Sequence, residues 1–152
     1  ILSAKGKMHM KRHIDKIRDA NYERGYVYNT KYHIIWVTKY RNACFTTPEL
    51  VNEMKSILLD VAKIADITIQ EMEVMPDHIH ILCSFKPKYS ITDIVKNLKG
   101  SSARIFLKAH PEIRESQFWG SKLWSSSYYV GTVGNMSKET VKQYILNQYD
   151  GK

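Results

Sequence analysis

Apolar positions along this chain switch between a period of two and a period near 3.6, and the switches mark its elements. Val27 to Val37, rich in Tyr, Ile, Val and Trp, predicts a first strand. Thr47-Pro48 signals a helix start, with threonine as N-cap and proline at the first helical position. Val51, Met54, Ile57, Leu58, Val61 and Ile64 follow at helical spacing and form one apolar stripe. Ile67 to Val74 predicts a second strand, Pro76-Asp77 a turn, and His78 to Phe85 a third strand. So short a connection makes the last two an antiparallel hairpin. Ser90, with Asp93 three residues on, resembles a capping box. It opens a helix to about Leu107, with Ile91, Ile94, Val95, Leu98 and Ile105 turned inward, and His110-Pro111 ends it. A loop with Trp119, Gly120 and Trp124 leads to a fourth strand around Tyr128 to Val133. Ser137 then caps a last helix, Lys138 to about Gln148.

The order β-α-β-β-α-β-α begins with the split βαβ of ferredoxin-like domains. This is an α+β fold, an antiparallel sheet with helices on one face, here followed by a C-terminal helix. A chain of 152 residues is long enough for one such domain and too short for two ordinary ones. Residues 1–25 are polar and basic and read as a mobile arm or a marginal helix, which leaves 26–152 as the domain. His9 and His13 are spaced i,i+4, but with no other ligands nearby they read as a solvated face.

The third strand carries chemistry. Side chains at i and i+2 of a strand share a face, so His78 and His80 project together while Ile79, Ile81 and Cys83 point the other way. An isolated His-x-His is most simply a pair of solvated or hydrogen-bonded histidines. Two parallel imidazoles are also half of a metal site. Structural zinc wants four ligands, but Cys83 faces away and Cys44 is distant. Both cysteines read as buried small hydrophobes in a reducing compartment. Towards the C-terminus, Tyr144 and Gln148 lie four residues apart and share one face of the last helix. Two imidazoles plus an amide oxygen, with positions open to phosphate oxygens and water, suit Mg²⁺ or Mn²⁺. A phenol with a pKa of about 10 attacks phosphorus only if its proton is removed or its charge offset, which a nearby divalent ion does. Tyr144 is thus the expected nucleophile and His78, His80 and Gln148 the expected metal ligands. Tyr128, Tyr129 and Tyr149 are rival tyrosines, and Asn147 is a fallback ligand. His33 reads as a hydrogen-bonded strand histidine or a site residue.

Charge agrees with that chemistry. Twenty-three Lys and Arg against 15 Asp and Glu give +8, which favours a polyanionic partner, and ten Tyr offer stacking surface for bases. Lys96, Lys99, Arg104 and Lys108 give the second helix a basic side, and Lys39 and Arg41 follow the first strand. All six are candidates for phosphate contacts, with a solvated face as the plain alternative. Trp36, Trp119 and Trp124 read as packing residues. There is no Gly-rich phosphate loop, so no nucleotide cofactor is expected. No apolar run approaches the length of a membrane span, and the cytoplasm is the expected compartment.

Pro76-Asp77-His78-Ile79-His80 followed by Tyr144-Ile145-x-x-Gln148 resembles the HUH single-tyrosine transposases of the IS200/IS605 insertion-sequence family. Three further segments match in the family's order: Tyr32 to Arg41, Lys99 to Arg104, and Leu123 to Gly131. Ser126 and Tyr129 depart from the family's usual Pro and Phe. The resemblance implies a metal-dependent enzyme that cleaves and rejoins single-stranded DNA through a 5′-phosphotyrosine on Tyr144, releasing a 3′-OH. It implies His78, His80 and Gln148 as metal ligands, and end hairpins as the feature recognised. It also implies a homodimer whose tyrosine helices complete each other's sites. The alternatives are a replication-initiator-type nickase and a domesticated or non-catalytic hairpin-binding protein of the same fold.

Overall fold

The computed structural model describes residues 20–120, 122–132 and 138–148. The chain divides after Thr30 into two units. In the first, β1 (Asn21–Glu23) and β2 (Tyr26–Tyr28) pair antiparallel around Arg24-Gly25, where Gly25 adopts φ 92°, a conformation glycine takes without strain. The long first strand expected from Val27 to Val37 is therefore two strands, because Asn29-Thr30-Lys31 interrupts it. The rest of the basic arm, residues 1–19, lies outside the described residues.

In the second unit, β3 (Tyr32–Val37), β4 (Ile67–Met75), β5 (His78–Phe85) and β6 (Tyr129–Thr132) form one antiparallel sheet in the order β4-β5-β3-β6. That is the ferredoxin-like arrangement. The helices are α1 (Pro48–Ile64), α2 (Ile91–Ala109), α3 (Pro111–Phe118) and α4 (Lys138–Leu146). Thr47 Oγ1 accepts from Leu50 N–H and Ser90 Oγ from Asp93 N–H, so both expected N-caps are formed. α1 and α2 pack with one sheet face around Ile34, Trp36, Ile79, Ile81, Met54, Leu58 and Leu98, all fully buried.

Three readings change. Ile64 is 88 % exposed, because α1 buries Met54, Leu58, Val61 and Ala62 and the last residue of the helix lies about a quarter turn off that stripe. Ile105 is exposed too; Ser102 and Phe106 continue the buried row of Ile94 and Leu98, and Phe106 meets Phe45 edge to face. The stretch after Pro111, read as loop, contains α3: proline starts a helix whose buried residues are only Ile113 and Phe118, too few to leave a periodic signal. Ser137 lies outside the described residues.

β4 carries a bulge between Ile69 and Glu71. Before it, Ile67 and Ile69 face inward; after it, Met72 and Val74 do. The extra residue changes the phase of the strand, and Glu71 and Glu73 join the sheet face opposite α1 and α2. Val37 pairs with His78, and the row Glu73–His80–Ile35–Tyr129 crosses all four strands on that same face. Among the described residues, no helix is long and apolar enough to cross a membrane.

Candidate active site

The Pro76-Asp77 turn joins Met75 directly to its partner His78, so register fixes both histidines on the face away from α1 and α2. His78 Nδ1 lies 2.8 Å from Asp77 Oδ1, while Arg41 Nε and Nη2 donate to Asp77 Oδ2 at 3.3 and 3.1 Å. Burial alone would raise the Asp77 carboxyl, but the bonds from His78 and Arg41 outweigh it and hold the group below its ordinary range. An ionised carboxylate only accepts, so His78 donates through Nδ1, and Nε2 is the ring nitrogen that faces away from Asp77.

His80 sits one row further, with its Nε2 2.9 Å from His33 Nδ1. Burial, reinforced by the neighbouring His33, pushes His80 below its ordinary value, which favours the neutral imidazole. The reading of His33 as a hydrogen-bonded strand histidine therefore holds, and its partner is a candidate ligand.

Tyr144 on α4 and Gln148 just past its end converge on one hydroxyl. Ser127 Oγ lies 3.0 Å from Tyr144 OH and donates to Gln148 Oε1 at 2.7 Å. With the serine hydrogen committed to the amide, the phenol donates to Ser127. The Tyr144 ring lies 5.9 Å from that of Tyr129, in the cross-strand row of His80. Tyr129 in turn lies over Gly131, where a Cβ would come within 2.9 Å of its hydroxyl. Burial raises the Tyr144 phenol above its ordinary value. Tyr144 and Gln148 thus meet on Ser127, and among the described residues no hydrogen bond ties either to His78 or His80. Tyr149 lies outside the described residues.

The basic candidates separate into two places. Lys96, Lys99, Arg104 and Lys108 line a groove of about 910 Å³ between α2 and residues 122–128, together with Arg114 and Lys122. Lys99 Nζ donates to the carbonyls of Ser125 and Ser127 at 2.6 and 3.0 Å, and burial, with Lys122 nearby, lowers it to about 8. It anchors the segment that carries Ser127. Lys39 and Arg41 stand instead in the 3₁₀ turn after β3, next to Asp77.

Sequence reasoning missed Ser127, one of three serines in a row, because nothing local distinguishes it. Arg114 and Lys122 were hidden with α3. It also misread Trp119. Trp36 and Trp124 are buried, and Trp124 Nε1 donates to Ser102 Oγ at 3.1 Å, but Trp119 is 70 % exposed. Gly120 after a helical run, the mark of a left-handed helix end, was the available signal.

Comparison with known proteins agrees with the fold and identifies the family. The family described as "Transposase IS200 like" matches residues 26–148. The ISDra2 transposase TnpA of Deinococcus radiodurans is 42 % identical over 127 residues, covering 84 % of this chain and 89 % of that protein. A Salmonella typhimurium transposase for insertion sequence element IS200 is 31 % identical over 123 residues, covering 81 % of this chain and 79 % of that protein. A crystal structure of a Deinococcus radiodurans protein assigned as a transposase superposes with a TM-score of 0.77 at 41 % identity, covering 85 % of this chain and 98 % of that one. The chain therefore belongs to the IS200-like transposase family and is a DNA transposase.

Proposed function

We propose that this transposase cleaves and rejoins single-stranded DNA at insertion-sequence ends, with Tyr144 as nucleophile. The supporting observation is the convergence of Tyr144 and Gln148 on Ser127, with Tyr129 linking them to the sheet face that carries His78 and His80. The Tyr144 oxygen bonds to phosphorus, the bond from phosphorus to the 3′ oxygen breaks, and the leaving strand takes up a proton to end in 3′-OH. The product is a 5′-phosphotyrosine, which a 3′-OH reverses on another strand without ATP. Ser127 Oγ holds the phenol's hydrogen at rest.

The donor set fits Mg²⁺ or Mn²⁺: His78 presents the ring nitrogen that faces away from Asp77, His80 favours its neutral form, and Gln148 offers an amide oxygen. Use of His80 Nε2 requires its bond to His33 to open. When bound, such an ion polarises the phosphate and offsets the charge of the phenolate. Lys96, Arg104 and Lys108 hold phosphates of a DNA hairpin in the groove, Lys99 and Arg41 support from behind, and Lys39 meets the strand nearer the histidines. The working form is a homodimer, as the family resemblance implies.

Labelled single-stranded DNA carrying the flanking hairpins, incubated with and without Mn²⁺, tests this on a denaturing gel. A metal-dependent covalent band absent from Tyr144→Phe is expected. A band that survives Tyr144→Phe removes that tyrosine from the role, and mobility shift without any band overturns the cleavage reading.

A further inference from the structure

Trp119 is held in the open by a backbone that has to be forced there. It closes α3 with φ 48°, in the left-handed region, and the turn facing it is unusual as well: Tyr40 has φ 62° and Arg41 φ 52°. Non-glycine residues hold such strained angles only where their surroundings impose them. Here they do. The backbone N–H groups of Trp119 and Gly120 both donate to the Arg114 carbonyl, and Arg114 Nε donates back to the Gly120 carbonyl at 3.2 Å. The Asn42 amide donates to the Gln117 carbonyl, which ties the two strained segments together.

The result is a supported aromatic shelf. The indole of Trp119 meets the Tyr40 ring at 5.1 Å and 65°, and Tyr40 packs against the core, with Lys39 Nζ 5.3 Å from its centroid. A packing tryptophan would not leave 70 % of its surface in water. Cations stand on both sides: Lys39 and Arg41 in the turn, and Arg114 and Lys122 where the basic groove reaches Gly120. Arg41 also connects the turn, through Asp77, to His78.

We propose that Trp119, backed by Tyr40, is a stacking site for one unpaired nucleobase of single-stranded DNA, beside the histidine end of β5. An unpaired base offers a free π-face and a neighbouring phosphate, which an exposed indole rimmed by cations takes up together. A base inside a duplex has both faces covered. The site rests on the single-strand reading above and specifies where a strand approaching His78 is gripped.

Tryptophan fluorescence tests it directly, because Trp36 and Trp124 are buried and Trp119 is the exposed indole of the three. The probe is a short oligothymidylate, against a duplex of equal length, in low salt without divalent metal. The oligothymidylate should quench emission and the duplex should not. Trp119→Phe should lose most of the quench while keeping most of the affinity and an unchanged thermal midpoint. Trp119→Ala should bind about 5- to 100-fold more weakly. Equal affinity in parent and Trp119→Ala, with the quench persisting, overturns the stacking site and leaves single-strand binding standing. A parent that binds no oligothymidylate overturns the single-strand reading and the stacking site with it.

Discussion

The two sides of β5 are built on opposite logic. Ile79, Ile81 and Cys83 face the helices, fully buried and held by packing alone, and burial pushes the Cys83 thiol up to about 12, as it does that of Cys44. His78 and His80, alternating with them, lie half-buried in a chain of polar contacts: Arg41 to Asp77 to His78, and His33 to His80. On the first side, contacts are interchangeable and their sum matters. On the second, the contacts are specific atom to atom, and the loss of one changes what its neighbour can do.

Substitutions should separate the two sides. Ile81→Ala should cost about 2–5 kcal/mol of unfolding free energy in a denaturant titration, the largest effect expected here. His80→Ala, one residue away, should leave stability nearly unchanged; an equal loss would mean that the polar side is structural. Asp77→Asn frees His78 to turn, and should weaken Mn²⁺ binding about 10- to 100-fold by calorimetry with little change in stability. Unchanged affinity would show that the carboxylate does not orient the ligand.

The smallest effect concerns α4. Tyr144 is held above the ordinary phenol value of 10.0, so its docking is at full strength below that pH and weakens as pH rises through the raised value. The ultraviolet difference between parent and Tyr144→Phe should therefore show no phenolate signal from Tyr144 below pH 10. Ser127→Ala should loosen residues 138–148 by about 0.5–1.5 kcal/mol in hydrogen exchange. Ionisation of Tyr144 below 10 would mean that the phenol sits beside a positive charge instead of being desolvated.

The covered side of the sheet was legible because it repeats. Thr47, Ser90 and the Pro76-Asp77 turn are local signals, and strand order followed from chain order and the short hairpin. Even there, periodicity failed where a helix ended, at Ile64, or turned towards a new neighbour, at Ile105. The polar side was legible only as residue types. His-x-His could be read, but the partner of His80 lies 47 residues away and that of Asp77 lies 36 away, distances at which side-chain chemistry leaves no pattern. Ser127 is the sharper case, since it acquires its setting from Tyr144 and Gln148, 17 and 21 residues further on, whereas Trp119 had at least Gly120 beside it as a signal.

The bulge near Gln70 makes this hairpin unequal in its tolerance of length change. A strand already out of step can absorb a residue gained or lost at that place by moving or erasing the bulge. The Pro76-Asp77 end has no such slack. One residue added to the pairing there would turn both imidazoles into the apolar layer and bring Ile79 and Ile81 out in their stead. Insertions should accumulate in descendants of this chain at the far end of the hairpin, while the turn beside the histidines keeps its count.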